Sequence, residues 1–292
     1  MSPASAGQVA IVTDSTAYLP EELIRRYQIR VVPIHVAIGG VSGDEGSEVK
    51  PADVAQALRD RRTDVTTSRA TPEDFSVVYR ELLDQGAKAV VSIHMSGKLS
   101  GTVEAAELAA APFGAQVTVI DSTSTGMGLG FPVLAGAEAA ASKATLAEVR
   151  EAVERAISRT TIYFYVDTLE FLRRGGRIGA AEALLGTALA VKPILHVADG
   201  QVVLKEKVRT AGRALARHEE LVLAAAADGE VDVSVHHLDA PERANALAGR
   251  LRSQLPRLGT LHTSEVGAAV GAHVGPGVIA AVVYRREDSS RH

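Results

Sequence analysis

The chain has 292 residues and is 46% hydrophobic, enough to bury a core and more comfortable as two domains than as one. Thirty-one Lys and Arg against thirty-five Asp and Glu leave a net charge of −4, which argues against the basic footprint of a nucleic-acid binder and leaves small molecules or proteins as partners. The absence of cysteine excludes disulfides, thiolate metal sites and cysteine nucleophiles.

The opening residues, MSPASAGQVAIVTD, have no basic stretch and only a short apolar run before Asp14, unlike a secretory signal. No window reaches the roughly 18 uninterrupted apolar residues of a membrane span. A cytoplasmic protein with no integral membrane segment is expected. From Gln8 to Thr13 the chain reads as a buried strand, followed by Asp14-Ser15-Thr16 and a helix with Pro20 at its first turn. Thr66-Thr67-Ser68 then forms a hydroxyl-rich loop ahead of Thr71, a candidate N-cap, and a helix over 72–85.

A second buried strand, 88–94, opens through Met95-Ser96-Gly97-Lys98-Leu99-Ser100-Gly101 into an Ala-rich helix. There Ser100 is the expected cap, and Ser96 is left to face the strand rim. A third strand, 116–120, ends in Asp121-Ser122-Thr123-Ser124, and a helical pattern covers 132–157. Strands alternating with helices imply a parallel sheet, whose ligands lie beyond the carboxyl ends of the strands. Three polar turns therefore fall on one rim, although Ser, Thr, Asp and Gly also gather in turns that only cap helices.

Beyond residue 158 the texture changes to a strand, the basic turn Arg173-Arg174-Gly175-Gly176-Arg177, an apolar helix over 180–191 and a hairpin reversing at Asp199-Gly200. Arginines around such a glycine turn suit an anion or a protein partner, and a solvated turn is the plain alternative. Helices over 210–227 and 241–254 and strands over 231–236, 261–266 and 278–284 complete the chain. Domains of 1–158 and 159–292 are expected: an α/β domain with a Rossmann-like parallel sheet flanked by helices, then an α+β domain with a mixed or antiparallel sheet. His273 stands in a glycine-rich stretch, GAHVGPG, where an imidazole could donate to a carboxylate.

Several chemistries lack their signatures. There is no dinucleotide fingerprint, Walker A sequence, HExxH spacing or G-x-S-x-G elbow, so neither a nucleotide nor a metal site is indicated. Ser96 and His273 could still serve a stand-alone serine esterase or acyltransferase if an Asp joined them.

The blocks VTDST, TTSRAT, SIHMSGKLSGT, VIDSTSTGMG, VDTLEFLRRGGRIG, KPILHVADG, EKVRT and GAHVGPG, taken in order along nearly the whole chain, resemble the DegV family. The resemblance implies a two-domain α/β protein that is not itself an enzyme, needs no cofactor and holds a long-chain fatty acid between its domains. It further implies the binding subunit of a bacterial fatty acid kinase, feeding phospholipid metabolism, whose separate ATP-binding subunit converts the carboxylate to acyl phosphate. By the same resemblance Thr67, Ser96 and His273 hold the carboxylate, with Thr66 the neighbouring candidate and Gly97 supplying a backbone donor. Arg177, Leu184, Leu185, Leu189 and Arg209 would line the acyl tunnel or meet the partner. The family commonly has a second serine at Gly97, Gln-Pro at Arg69-Ala70 and a serine at Gly179.

Overall fold

The computed structural model describes residues 9–60, 62–179, 181, 191–227 and 229–287. In chain order the elements are β1 (Val9–Asp14), α1 (Glu21–Tyr27), β2 (Arg30–Val32), β3 (His35–Ile38), β4 (Val41–Asp44), α2 (Pro51–Asp60), β5 (Val65–Ser68) and α3 (Pro72–Asp84). They continue with β6 (Ala89–His94), α4 (Thr102–Ala110), β7 (Val117–Asp121), α5 (Met127–Ala141), α6 (Leu146–Ser158), β8 (Thr160–Tyr165) and α7 (Glu170–Arg174). The last group is β9 (Lys192–Ala198), β10 (Gln201–Val208), α8 (Ala211–Ala226), β11 (Val231–His237), α9 (Pro241–Gln254), β12 (Leu258–Glu265), α10 (Ala268–Val274) and β13 (Ile279–Arg285). The expected helix over 180–191 lies almost wholly outside the described residues.

Two compact units form, one from residues 1–35 and 68–158, the other from 36–67 and 159–292. The sequence reading placed 36–67 in the first domain, but in the structure these residues group with the C-terminal unit. Local pattern could not reveal this, because the grouping depends on which distant elements the segment packs against. In particular, α2 packs on α10.

The first unit is built on a parallel sheet ordered β2-β1-β6-β7. Strand side chains alternate between faces, and the two faces are covered by different helices. Ile11, Val91 and Ile93 meet Leu129, Val133, Val149 and Val153 of α5 and α6. Val12 and Val90 meet Phe75 and Tyr79 of α3 and Ala105 and Ala106 of α4. Burial on both faces explains why β6 is buried at every residue. Register pairs Thr13 with Ile93 and His94 with Asp121, so the carboxyl ends of β1, β6 and β7 share one rim, as the three polar turns imply.

The helical pattern over 132–157 is two helices. α5 begins at Met127, before Pro132, and a capping box at Thr145 starts α6: Thr145 N–H donates to Glu148 at 2.7 Å and Glu148 N–H to the Thr145 hydroxyl at 3.3 Å. In α3 the expected cap is present, with Thr71 and Asp74 forming a reciprocal box ahead of Pro72.

The second unit carries a six-stranded sheet ordered β10-β9-β8-β13-β11-β12, in which β12 runs parallel to β11 and every other pairing is antiparallel. It is a mixed sheet, and Val233, Val235, Ala281 and Val283 form its core with Leu247 and Leu251 of α9. The β9–β10 hairpin turns at Asp199 and Gly200, with φ of 48° and 76°, the left-handed pair that a tight two-residue reversal requires. A three-stranded sheet, ordered β4-β3-β5, completes the set.

Candidate functional site

In the first unit, the chain leaving β6 is tied down amide by amide. Met95 N–H donates to the Asp14 carboxylate at 3.0 Å, and Ser96 N–H to the Ser124 carbonyl at 2.8 Å. Ser96 C=O accepts from Leu99 and Ser100 N–H, both at 3.0 Å, and its hydroxyl oxygen accepts from Lys98 N–H at 3.2 Å. Ser96 is fully buried. This tight turn delays the helix, so Ser100 is not its cap. Gly101 occupies that position without a side-chain bond, and Ser100 pairs with the Thr102 hydroxyl at 2.8 Å.

Gly97 departs from its expected role as a backbone donor to a ligand. Its N–H donates instead to Asp121 Oδ2 at 3.1 Å. Asp121 ends β7 beside the β6 terminus, where its other oxygen accepts from Thr123 N–H at 2.7 Å.

Behind the turn runs a chain of groups that sequence reading missed. Tyr79 O–H donates to Ser92 at 2.8 Å, Ser92 Oγ lies 2.6 Å from His94 Nε2, and His94 Nδ1 lies 3.0 Å from Asp14 Oδ2. The order is that of a serine triad, yet Ser92, His94, Asp14 and Tyr79 are all at 0% exposure and spend their polar atoms on one another, which makes the chain a structural network. Burial by itself would raise the Asp14 carboxyl. The hydrogen bond from His94, with donation from Thr16 and Met95, outweighs it and holds Asp14 below the usual aspartate value. The available signal was Ser92 and His94 two apart in an otherwise apolar strand, the spacing that sends both to one face.

In the second unit, the two threonines sit on strand β5 rather than in a loop, so they face opposite ways, Thr66 exposed and Thr67 half-buried. Thr67 is the one that meets His273, its hydroxyl 2.9 Å from Nε2. His273 belongs to the last turn of α10 rather than to the glycine loop after it. Its Nδ1 is buried without a partner among the described residues and faces Gly175, where a Cβ would stand 2.1 Å away. Burial, with the nearby Arg177 charge, pushes this imidazole down to about 4, so it is neutral at pH 7. An orphaned buried N–H is rarer than an orphaned acceptor, which favours the tautomer with the proton on Nε2. Nε2–H then donates to Thr67, and the Thr67 hydroxyl proton is free to point at an acceptor.

Arg177 is half-buried and donates to the Gly175 carbonyl, so the basic glycine turn is folded around His273 rather than being a bare solvated loop. Arg209 is exposed just after β10. Leu184, Leu185 and Leu189 lie outside the described residues. The structure thus brings Thr67, His273, Gly175 and Arg177 together, while Ser96, Gly97 and Asp121 form the rim of the first unit. Among the described residues no group of three or more His, Asp or Glu is placed to hold a metal, and no helix is long and apolar enough to cross a membrane.

Comparison with known proteins covers nearly the full length. A family model described as "Uncharacterised protein, DegV family" matches residues 8–286. A DegV domain-containing protein of Streptomyces coelicolor is 51% identical over 278 residues, covering 95% of this chain and 99% of that protein. A structure described as fatty acid binding of a DegV family protein from Thermus thermophilus superposes with a TM-score of 0.90 at 37% identity, covering 95% of this chain and 99% of the other. The structure of DegV from Bacillus subtilis, described as a fatty acid binding protein, superposes with a TM-score of 0.87 at 30% identity, covering 96% and 100% of the two chains.

Proposed function

We propose, given that this chain belongs to the DegV family, that it binds a long-chain fatty acid and presents the carboxylate to a separate ATP-dependent kinase subunit. The observation that carries the binding reading is the Thermus thermophilus protein, described as binding fatty acid and matched over nearly both chains. The local chemistry supports it. A neutral His273 donating to Thr67 polarises a hydroxyl toward an anion, and Arg177 adds positive charge nearby. Ser96 is the candidate head-group donor from the first unit, and Thr66, facing away from His273, is demoted.

The magnitudes are adequate. Burying roughly 14 methylenes at about 0.8 kcal/mol each gives on the order of 11 kcal/mol of gross drive, against ordering costs of several kcal/mol. A few polar contacts then suffice, but they must exist, because a desolvated carboxylate without donors costs several kcal/mol or takes up a proton. The kinase step would move the terminal phosphoryl group of ATP onto the carboxylate, forming acyl phosphate and ADP, with this chain supplying no nucleotide site.

Native mass spectrometry of protein purified from a bacterial host tests the first part: retained fatty acid is expected, and a chain that neither carries nor takes up fatty acid overturns it. Ser96→Ala and His273→Ala should each weaken binding by about 1–3 kcal/mol. Unchanged affinity in both would reject this head-group set. For the second part, ATP alone should yield no acyl phosphate on the loaded protein, and product formation without any added kinase would refute the division of labour.

A further inference from the structure

We propose that Asp14 is a positioning residue for the Ser96 turn, held in its own place by His94, Ser92 and Tyr79. The inference rests on the reading that Ser96 contacts the fatty-acid head group, and it adds what sets that contact. One carboxylate clamps two strand ends: Oδ1 accepts from Thr16 N–H at 3.0 Å and the Thr16 hydroxyl at 2.5 Å, and Oδ2 from His94 Nδ1 and Met95 N–H, both at 3.0 Å. Met95 is the residue between the end of β6 and Ser96, so its amide decides where the turn begins.

A clamp between two strand ends does not need a charge. A fully buried carboxylate loses several kcal/mol of hydration, and apolar replacements of buried ion pairs are often neutral or stabilising. What charge and hydrogen bonds supply is a single geometry. Tyr79 donates to Ser92, which leaves the Ser92 proton for His94 Nε2 and directs Nδ1–H to Asp14. Phe75 closes the ring edge-on, with centroids 4.9 Å apart at 70°. Each group has one role, so the imidazole has one orientation, Asp14 has one rotamer and Met95 N–H has one acceptor. Asn at 14 breaks this set, because its amide group must face either Thr16 N–H or Met95 N–H, donor against donor.

The experiment is a double-mutant cycle on the full chain, read by displacement of a fluorescent long-chain fatty acid, with Asp14→Asn, Ser96→Ala and the pair together. Asp14→Asn should weaken binding about tenfold. It should also shift the Ser96 amide resonance, and the double variant should bind no more weakly than Ser96→Ala alone. Wild-type affinity in Asp14→Asn, or losses that multiply in the double variant, overturns the positioning role. Wild-type affinity in Ser96→Ala is a different failure: it removes the head-group reading and the positioning role with it. If Asp14→Asn does not fold, Ser92→Ala leaves the carboxylate in place and removes the His94 buttress. A loss of affinity that disappears in the Ser96→Ala background then supports the proposal, and an unchanged or additive effect sinks it.

Discussion

Alanine at position 175 would place its Cβ 2.1 Å from Nδ1 of His273, 2.8 Å from Cε1 and 3.2 Å from Cγ, where ordinary contact begins at 3.4 Å. The backbone does not resist, since φ there is −75°, accessible to any residue, so the whole effect falls on the ring. His273 must retreat by roughly 1.3 Å, which destroys the geometry of its 2.9 Å bond to Thr67 or forces the ring off its rotamer. The expected loss is about 2–3 kcal/mol of stability, from one part-buried hydrogen bond and a strained side chain. Chemical denaturation gives the stability, and proton NMR of the His273 ring gives the titration, which should move from about 4 back toward 6.5 as the ring leaves its buried seat. Fatty-acid affinity should fall in parallel. Gly176→Ala is the control: φ is 69° and the space beside it is open, so it costs about 1 kcal/mol of backbone strain and leaves the His273 titration unchanged. An unaltered titration in Gly175→Ala would refute the account of how this ring is seated.

Acid should destabilise the fold before carboxylates are the cause. Burial pushes His218, His236 and His273 down to about 4, against 6.5 for the unfolded chain, so the unfolded state takes up protons first. Stability is complete above pH 6.5 and falls as pH drops through about 4, by about 2 kcal/mol per ring at pH 5. Urea midpoints that stay flat from pH 7 to 5 would contradict this. Gly97→Ala should be nearly silent, within about 1 kcal/mol in stability, because its Cβ meets Asp121 Oδ2 at 3.2 Å and Val103 at 3.8 Å, with no left-handed φ to strain. A larger loss in a thermal melt would mean the Ser96 turn is tighter than described. Gly200→Val, at φ 76°, should cost about 1–2 kcal/mol through the β9–β10 hairpin, and an unchanged melting temperature would count against the left-handed turn.

Much of the site was legible locally. Short β-branched runs and turn residues placed β1, β6 and β7 and their shared rim, Thr71 and Pro72 marked the start of α3, and Asp199-Gly200 marked the hairpin, because each depends on neighbours a few residues away. The sequence blocks also led to the family that the full-length comparisons establish. What remained hidden depends on partners far along the chain. His273 meets Thr67 across 206 positions, and Asp14 meets His94 across 80.

The same limit governs the glycines and the domain plan. Gly175 reads as a flexible turn residue, yet its lack of a side chain is what admits an imidazole from α10. The family resemblance makes Gly97 a backbone donor to the ligand, yet Asp121 of a neighbouring strand accepts its N–H. Residues 36–67 read as part of the first domain, yet they pack with the second unit. By itself the sequence determined β1, β6, β7, the β9–β10 hairpin, the parallel rim and the family, since propensity, pattern and capping act over one turn or one strand. Only the tertiary structure decided which hydroxyl meets the histidine, which carboxylate is buried and where the units divide. Those outcomes arise from close packing and hydrogen-bond pairing among residues that become neighbours only after folding.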